Sequence, residues 1–266
     1  MGKKKRRGKR GFPVAIVIGF RPNHVTVWKL FEERPVLFRE IIPDRKLENA
    51  DKSQLYAFHE RLLDSIRPLL KSGHKSVILV SPQKTRHGSA FLDHLHHHQK
   101  WLFQESNPNY TTFTEHVGEI RDEKSMKYVV SQEEFKEALN SATTGEATQL
   151  IKQLEERLND EDGLVLYSLQ DIETFIYSGG KKKKRFKNLP AEPEYLFITK
   201  KMFEQKTRRG RIHRLLQIVK NRGIKTKVID EETGPGERIA QLGGIVCLLK
   251  VESDYEKEAS RKLLDA

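Results

Sequence analysis

Between residues 164 and 249 the chain alternates short apolar runs with single amphipathic stretches. No other feature restricts its fold as much. Leu164–Tyr167, Tyr195–Thr199, Thr226–Ile229 and Ile245–Leu249 read as strands, and 169–178, 208–222 and 236–242 as helices. Strands separated by single helices predict a compact α/β sandwich of parallel type, with right-handed crossovers that place helices on both faces. The closing step is punctuated by glycines. Pro235 fixes a turn and Gly236 stands near the cap of the last helix. Gly243 is expected in the left-handed conformation that ends this helix, and Gly244 lets the chain turn back onto the sheet.

The preceding half is organised differently. Runs 13–20, 24–32 and 35–42 read as three strands joined by short breaks, hence an antiparallel meander. Val25 and Val27 alternate with His24, Thr26 and Trp28, the pattern of a strand buried on one side. From Asp51 the period becomes helical, with Leu55, Phe58, Leu62, Leu63 and Ile66 on one face and Ser72-Gly73 at its end. Val77–Val80 reads as a buried strand and Ala90–Phe103 as a helix; 105–128 carries no clear period. Ser131 with Glu134 has capping-box spacing, with a helix after it. A further helix over about 145–159 has the seam Ala147, Leu150, Ile151, Leu154 and Leu158. Residues 159–163, NDEDG, read as a boundary. The division is therefore a basic tail over 1–11, domains over 12–162 and 163–252, and a helical C-terminal tail over 253–266.

The 266 residues suit two modest domains, and no apolar run approaches the ~20 residues of a membrane span. The lone Cys247, among apolar neighbours, reads as a small buried hydrophobe. No internal disulfide is possible, which fits a reducing compartment. Met1-Gly2-Lys3 has no apolar signal-peptide core behind it, so the expected location is the cytoplasm. The formal charge of +12 is confined to two places. Lys3, Lys4, Lys5, Arg6, Arg7, Lys9 and Arg10 form one acid-free run; Lys181, Lys182, Lys183, Lys184, Arg185 and Lys187 form another. Without those 13 residues, 36 Lys/Arg face 37 Asp/Glu. A neutral body with two basic runs points to a polyanion held at two places. Counterion release from phosphates supplies the affinity, without sequence readout. Phe186 either stacks on a base or packs. Arg208, Arg209 and Arg211 stand where a helix begins, where cations oppose the helix dipole, which hints at ligand contact.

The order of letters adds a resemblance. GERIAQLGGIVCLLK, residues 236–250, resembles the closing motif of the Pelota and eukaryotic/archaeal class I release-factor family. There a Gly-Glu pair opens the last helix of the third domain and a Leu-Gly-Gly-Ile step leads into its last strand. Gly236, Glu237, Leu242, Gly243 and Gly244 are the matching positions, read as holding structure and not as contacts. NDEDGLVLYSLQDIETFI followed by EPEYLFITKKMF resembles the start of that third domain. SVILVSP followed by FLDHL resembles a strand-to-helix step of the middle domain. The resemblance covers about residues 13–250 and is thinnest between 84 and 128. It implies an α/β chain of two domains: a mixed-sheet middle domain of RNase H-like type and a C-terminal α-β-α sandwich like kink-turn-binding proteins. It also implies ribosome and tRNA as partners, with a translational GTPase and an ABC-type recycling ATPase. Family members usually open on a further domain that enters the decoding site. Only the basic tail precedes Phe12 here, so sensing of that kind is not expected. The 181–187 run looks like an insertion where the family has a short turn.

Release factors carry a Gly-Gly-Gln loop before the first long helix of the middle domain. The corresponding stretch here, PDRKLENADKSQLYAFHERL, aligns Lys52-Ser53-Gln54 with it. Lys and Ser resist the positive φ that glycine allows. Gln54 is thus either a first-turn helix residue or the sole candidate for peptidyl-tRNA hydrolysis. Strand 13–20, PVAIVIGF, has no carboxylate to hold Mg²⁺ as an RNase H-type nuclease requires. No G-x-x-x-x-G-K-[ST] cradle for a nucleotide occurs, and no cofactor is expected. His94 and His98, four apart on one helix, have a spacing that binds Zn²⁺; the other reading is a solvated or phosphate-contacting face. The expected function is a non-catalytic ribosome-associated factor in rescue, recycling or quality control. A hibernation factor, a peptidyl-tRNA hydrolase using Gln54 and a free-standing RNA-binding protein remain open.

Overall fold

A computed structural model describes residues 13–31, 34–105, 107, 109–159, 164–178, 191–205 and 209–251. The chain parts into two compact units, 1–146 and 147–266. The basic run Lys3–Arg10, the run Lys181–Lys187, Arg208 and the tail 253–266 lie outside the described residues.

In the first unit, β1 (Ala15–Arg21), β2 (His24–Phe31) and β3 (Arg34–Ile41) form the expected meander. β4 (Ser76–Ser81) and β5 (Thr112–Val117) complete a sheet of order β3-β2-β1-β4-β5. β1 is antiparallel to β2 and parallel to β4, and β4 is parallel to β5. Central strands buried on both faces read as unbroken apolar runs, which is why β1 is AIVIGF and β4 is VILV. Ile16, Ile18, Phe20, Val25, Val27, Val77 and Leu79 face α1 (Lys52–Lys71) and α2 (His87–His98). Ala15, Val17, Trp28, Leu30, Ile78 and Val80 face α3 (Glu123–Ser131) and Phe135 of α4 (Glu133–Asn159). The one-sided reading of β2 is therefore corrected: Thr26 and Trp28 are as buried as the valines between them. The sheet is covered twice, so a polar-looking alternation did not mean a wet face.

Three local expectations change. α2 starts at His87 and ends at His98, and a separate 3-10 turn covers Lys100–Leu102. Ser131 caps nothing ahead of it. It is the last residue of α3, and its Oγ donates to the Tyr128 carbonyl at 2.7 Å. The two helices expected on either side of residue 145 are one, α4, of 27 residues. Gly145 is not a break but a close approach: a Cβ there would lie 2.9 Å from Thr112 Cγ2 on β5. The helix is tied to β4 by Glu146, whose carboxylate accepts from Ser76 Oγ at 2.5 Å and Lys75 N at 3.2 Å.

The second unit holds β6 (Val165–Leu166), α5 (Leu169–Tyr177), β7 (Ala191–Thr199), α6 (Lys200–Glu204), α7 (Arg209–Asn221), β8 (Lys225–Ile229), α8 (Gly234–Gln241) and β9 (Ile245–Val251). The sheet order is β6-β9-β7-β8. β7 and β8 run parallel, but β9 is antiparallel to both β6 and β7. The parallel-type reading is thus corrected to a mixed sheet. α8 spans eight residues, about 12 Å at 1.5 Å per residue. Gly243 at φ +98° and Gly244 at φ +81° then turn the chain straight back. One face packs Tyr195, Phe197, Val246 and Leu248 against Leu150 and Leu154 of α4 and Ile239 of α8. α5 packs on β9 and α7, which covers the other face. The unit boundary falls inside α4 instead of at 162/163, because residues 147–159 spend their apolar seam on the second sheet.

Candidate functional site

Gln54 occupies the third position of α1, where its side chain is already employed. Asp51 is the N-cap: its Oδ1 accepts from Gln54 N at 2.9 Å, and Gln54 Oε1 accepts from Asp51 N at 3.2 Å. This reciprocal pair satisfies two backbone donors at the helix start. Lys52 and Ser53 are helical, and the positive-φ glycines among the described residues lie elsewhere, at 73, 223, 243 and 244. The stretch therefore does not present a glutamine on a glycine loop; it starts a helix.

His94 and His98 do share a face, with ring centroids 4.8 Å apart. His94 is buried, however, and its Nε2 lies 2.8 Å from Glu60 Oε1. Of the two, His98 is exposed, as a solvated face requires, and His94 is not. Among the described residues no group of three or more His, Cys, Asp or Glu is placed to hold a metal ion. His94 belongs instead to an aromatic cluster with Tyr56 and His59 at 5.0 Å each. Burial, reinforced by His94, pushes the pKa of His59 down to about 4. Burial alone would raise Glu60, but hydrogen bonds from Gln99 and His94 bring its carboxyl below the usual range.

Of the basic residues singled out in the sequence, Arg211 has a described side chain. Its Nε donates to Glu173 Oε1 at 2.9 Å and Oε2 at 2.8 Å, and Nη2 stands 2.6 Å from Oε2. The fork is thus engaged within the second unit. Arg209 opens α7.

The closing motif has a mechanical explanation. Thr233 caps α8 through its Oγ1, which accepts from Gly236 N at 3.2 Å. A Cβ on Gly236 would stand 1.8 Å from the Asp230 carbonyl oxygen, so only glycine fits. Glu237 is exposed in the first turn, where a carboxylate suits the helix dipole. Leu242 caps the end of the helix and packs on the core, and Gly243 and Gly244 make the return. Cys247 is buried, which raises its thiol to about 12, as befits a packing residue.

One feature escaped the sequence reading. A cleft of about 280 Å³ in the first unit is lined by Arg67, Leu70, Lys71, Trp101, Asn107 and Asn109. The Arg67 guanidinium carbon lies over the Trp101 ring, 5.9 Å from its centroid. The indole is held at its polar edge. Its Nε1 donates to Gln99 Oε1 at 2.7 Å, and Gln99 Nε2 donates to Glu60 at 2.9 and 3.1 Å. The contributing residues come from three separated segments, so no local motif announces them. The available signal was one of only two tryptophans, Trp101, standing in a polar stretch rich in amides.

No family model and no curated protein matches this chain. Solved structures do. Ribosome-bound archaeal Pelota, in a structure with ABCE1, aligns over 94% of this chain and 65% of its own, at 16% identity and a TM-score of 0.51. The chain shares the fold of Pelota. S. cerevisiae Dom34, a translation termination-like factor involved in RNA quality control pathways and interacting with Hbs1, aligns over 91% of this chain and 64% of its own. Its identity is 16% and its TM-score 0.47. The Archaeoglobus fulgidus Pelota crystal structure gives 16% identity and a TM-score of 0.38, over 92% of this chain and 66% of its own. This chain therefore spans just under two thirds of the length of the first of these structures. Among the described residues no helix is long and apolar enough to cross a membrane.

Proposed function

We propose that this protein is a ribosome-associated translation factor that acts in rescue, recycling or quality control, and does so by binding, without breaking a bond itself. The observation that carries the reading is the charge distribution: 13 cations in two acid-free runs beside an otherwise balanced body. Such runs bind a folded RNA through its phosphates. The shared fold with Pelota suggests which RNA, the ribosome with its tRNA. It also suggests which proteins: a translational GTPase, and an ABC-type ATPase of the ABCE1 kind. The capping role of Gln54 supports the non-catalytic half of the reading.

Co-sedimentation with ribosomes through a sucrose cushion tests it. The native protein is expected in the pellet in dilute buffer and to be released by salt. A variant with Lys3–Arg10 and Lys181–Lys187 neutralised is expected in the supernatant. Full pelleting of that variant would overturn the reading. Gln54→Ala is expected to leave peptidyl-tRNA ester hydrolysis at the level of the uncatalysed background, where the native protein also stands.

A further inference from the structure

The cleft at the C-terminal end of α1 combines three kinds of group that single-stranded nucleic acid requires: a fixed aromatic plane, cations beside it, and amides at its rim. Trp101 is half-buried, and its one polar atom is already satisfied by Gln99. What the ring offers the cleft is therefore its π system. Arg67 stands over that ring, and its Nε lies 2.9 Å from Asp64 Oδ1 in an ion pair whose alignment leaves Nε without a hydrogen bond. Lys71, one turn on, is exposed. Leu70 supplies an apolar floor.

The amides are pre-set. Asn107 Oδ1 accepts from Asn109 N at 2.8 Å, and Asn109 Oδ1 accepts from Lys75 Nζ at 3.2 Å. Both side-chain carbonyls are thus engaged, which leaves the two amide nitrogens as donors. Such a rim suits a ring whose edge carries acceptors, as uracil does at O2 and O4 and guanine at O6 and N7. The spacing fits a flat ring as well. A base stacked on both sides needs two separations of about 3.5 Å. The 5.9 Å between guanidinium and indole opens to that with a shift of roughly 1 Å in a flexible side chain. At about 280 Å³ the cleft has room for a base.

We propose that this cleft is a single-nucleotide pocket, in which an unpaired RNA base slots between the Arg67 guanidinium and the Trp101 ring, its edge on Asn107 and Asn109 and its phosphate towards Lys71. An acidic peptide would use the cations but leave the aromatic slot empty; a base uses all of them. The inference deepens the RNA-binding reading above, and adds a contact to the base where the two basic runs touch only phosphates.

Tryptophan emission tests it directly, because Trp28 is only 3% exposed and Trp101 is the indole that a ligand reaches. Titration of the full chain with a short single-stranded RNA containing G and U is expected to quench emission saturably. Arg67→Ala is expected to weaken this binding by about fivefold or more, in line with loss of one stacking partner. Trp101→Phe is expected to abolish the quench while fluorescence anisotropy of labelled RNA still reports binding. Lys71→Ala, a change at an exposed position, is expected to lower affinity about twofold and reduce its salt dependence. Circular dichroism melts confirm that each variant is folded. A saturable quench that persists when both basic runs are neutralised supports the pocket whatever the ribosome assay shows. Absence of quench in the native chain, or RNA affinity unchanged by Arg67→Ala, would overturn the pocket and leave the ribosome reading standing.

Discussion

Gly236 has no room for a side chain, and the obstacle is backbone: the Asp230 carbonyl oxygen would meet a Cβ at 1.8 Å. The 230–236 turn and the start of α8 would have to separate, with loss of the Thr233 cap. Gly236→Ala is therefore expected to lower stability by at least ~2 kcal/mol in urea denaturation. Gly210 is the matched control. It stands in the first turn of α7, and a Cβ there would meet nothing within 4 Å among the described residues. Gly210→Ala is expected to leave stability unchanged or raise it by up to about 1 kcal/mol. His59 makes a second prediction at this scale. Its unfolded form protonates near 6.5 and its folded form near 4, because burial and the neighbours His94 and His87 oppose the charge more than Glu60 favours it. Between those values the unfolded chain binds more protons, so stability is full above about pH 6.5 and falls as pH drops towards 4. A loss of ~2 kcal/mol is expected from pH 7 to pH 5. His87, also lowered by burial, adds to the same slope. Denaturation at the two pH values checks this, and His59→Phe is expected to flatten most of it.

At the scale of elements, α1 shows how a start signal outweighs a tempting alignment. Asp51 and Gln54 satisfy each other's backbone donors, so the glutamine that the alignment offers stands in the first turn of a helix. Asp51→Ala is expected to cost about 1 kcal/mol, and Gln54→Ala less, in thermal melts. Elements with a strong period were legible from the letters alone: the meander, α1, β4 and the Gly243-Gly244 return all stand where the apolar pattern puts them. β5 was not. Thr112–Val117 is an edge strand with half-buried and exposed side chains, so it lacks the apolar run that marked β4. α4 is one helix across residue 145, where Gly145 grants close passage over Thr112. The direction of β9 was invisible for another reason. Periodicity reports that a strand exists, but which way it runs appears only in its pairing, antiparallel to both β6 and β7. The Trp101 cleft is harder still, since Arg67, Trp101 and Asn109 meet only after α1 and β5 have been packed on one sheet.

For the molecule as a whole, the deciding quantity is how its charge is divided. With 13 cations in two runs, neutralising both takes the formal net charge from +12 to −1. Each phosphate contact displaces counterions and contributes about 0.9 to the slope of log K against log salt. The run of seven can therefore supply a slope of up to about 6, and the run of six up to about 5. If both dock on one particle, the second attachment is intramolecular and gains from a high effective concentration. Affinity should then fall much more than half when either run is lost, while the slopes subtract independently. Neutralising Lys3–Arg10 alone, or Lys181–Lys187 alone, is expected to weaken ribosome binding tenfold or more, on the order of 1.4 kcal/mol. Each single variant should also retain a shallower but measurable salt slope, and the double variant almost none. Binding measured across a salt series separates this from simple solubility, in which the native slope would be flat and neither run would matter more than any other surface lysines.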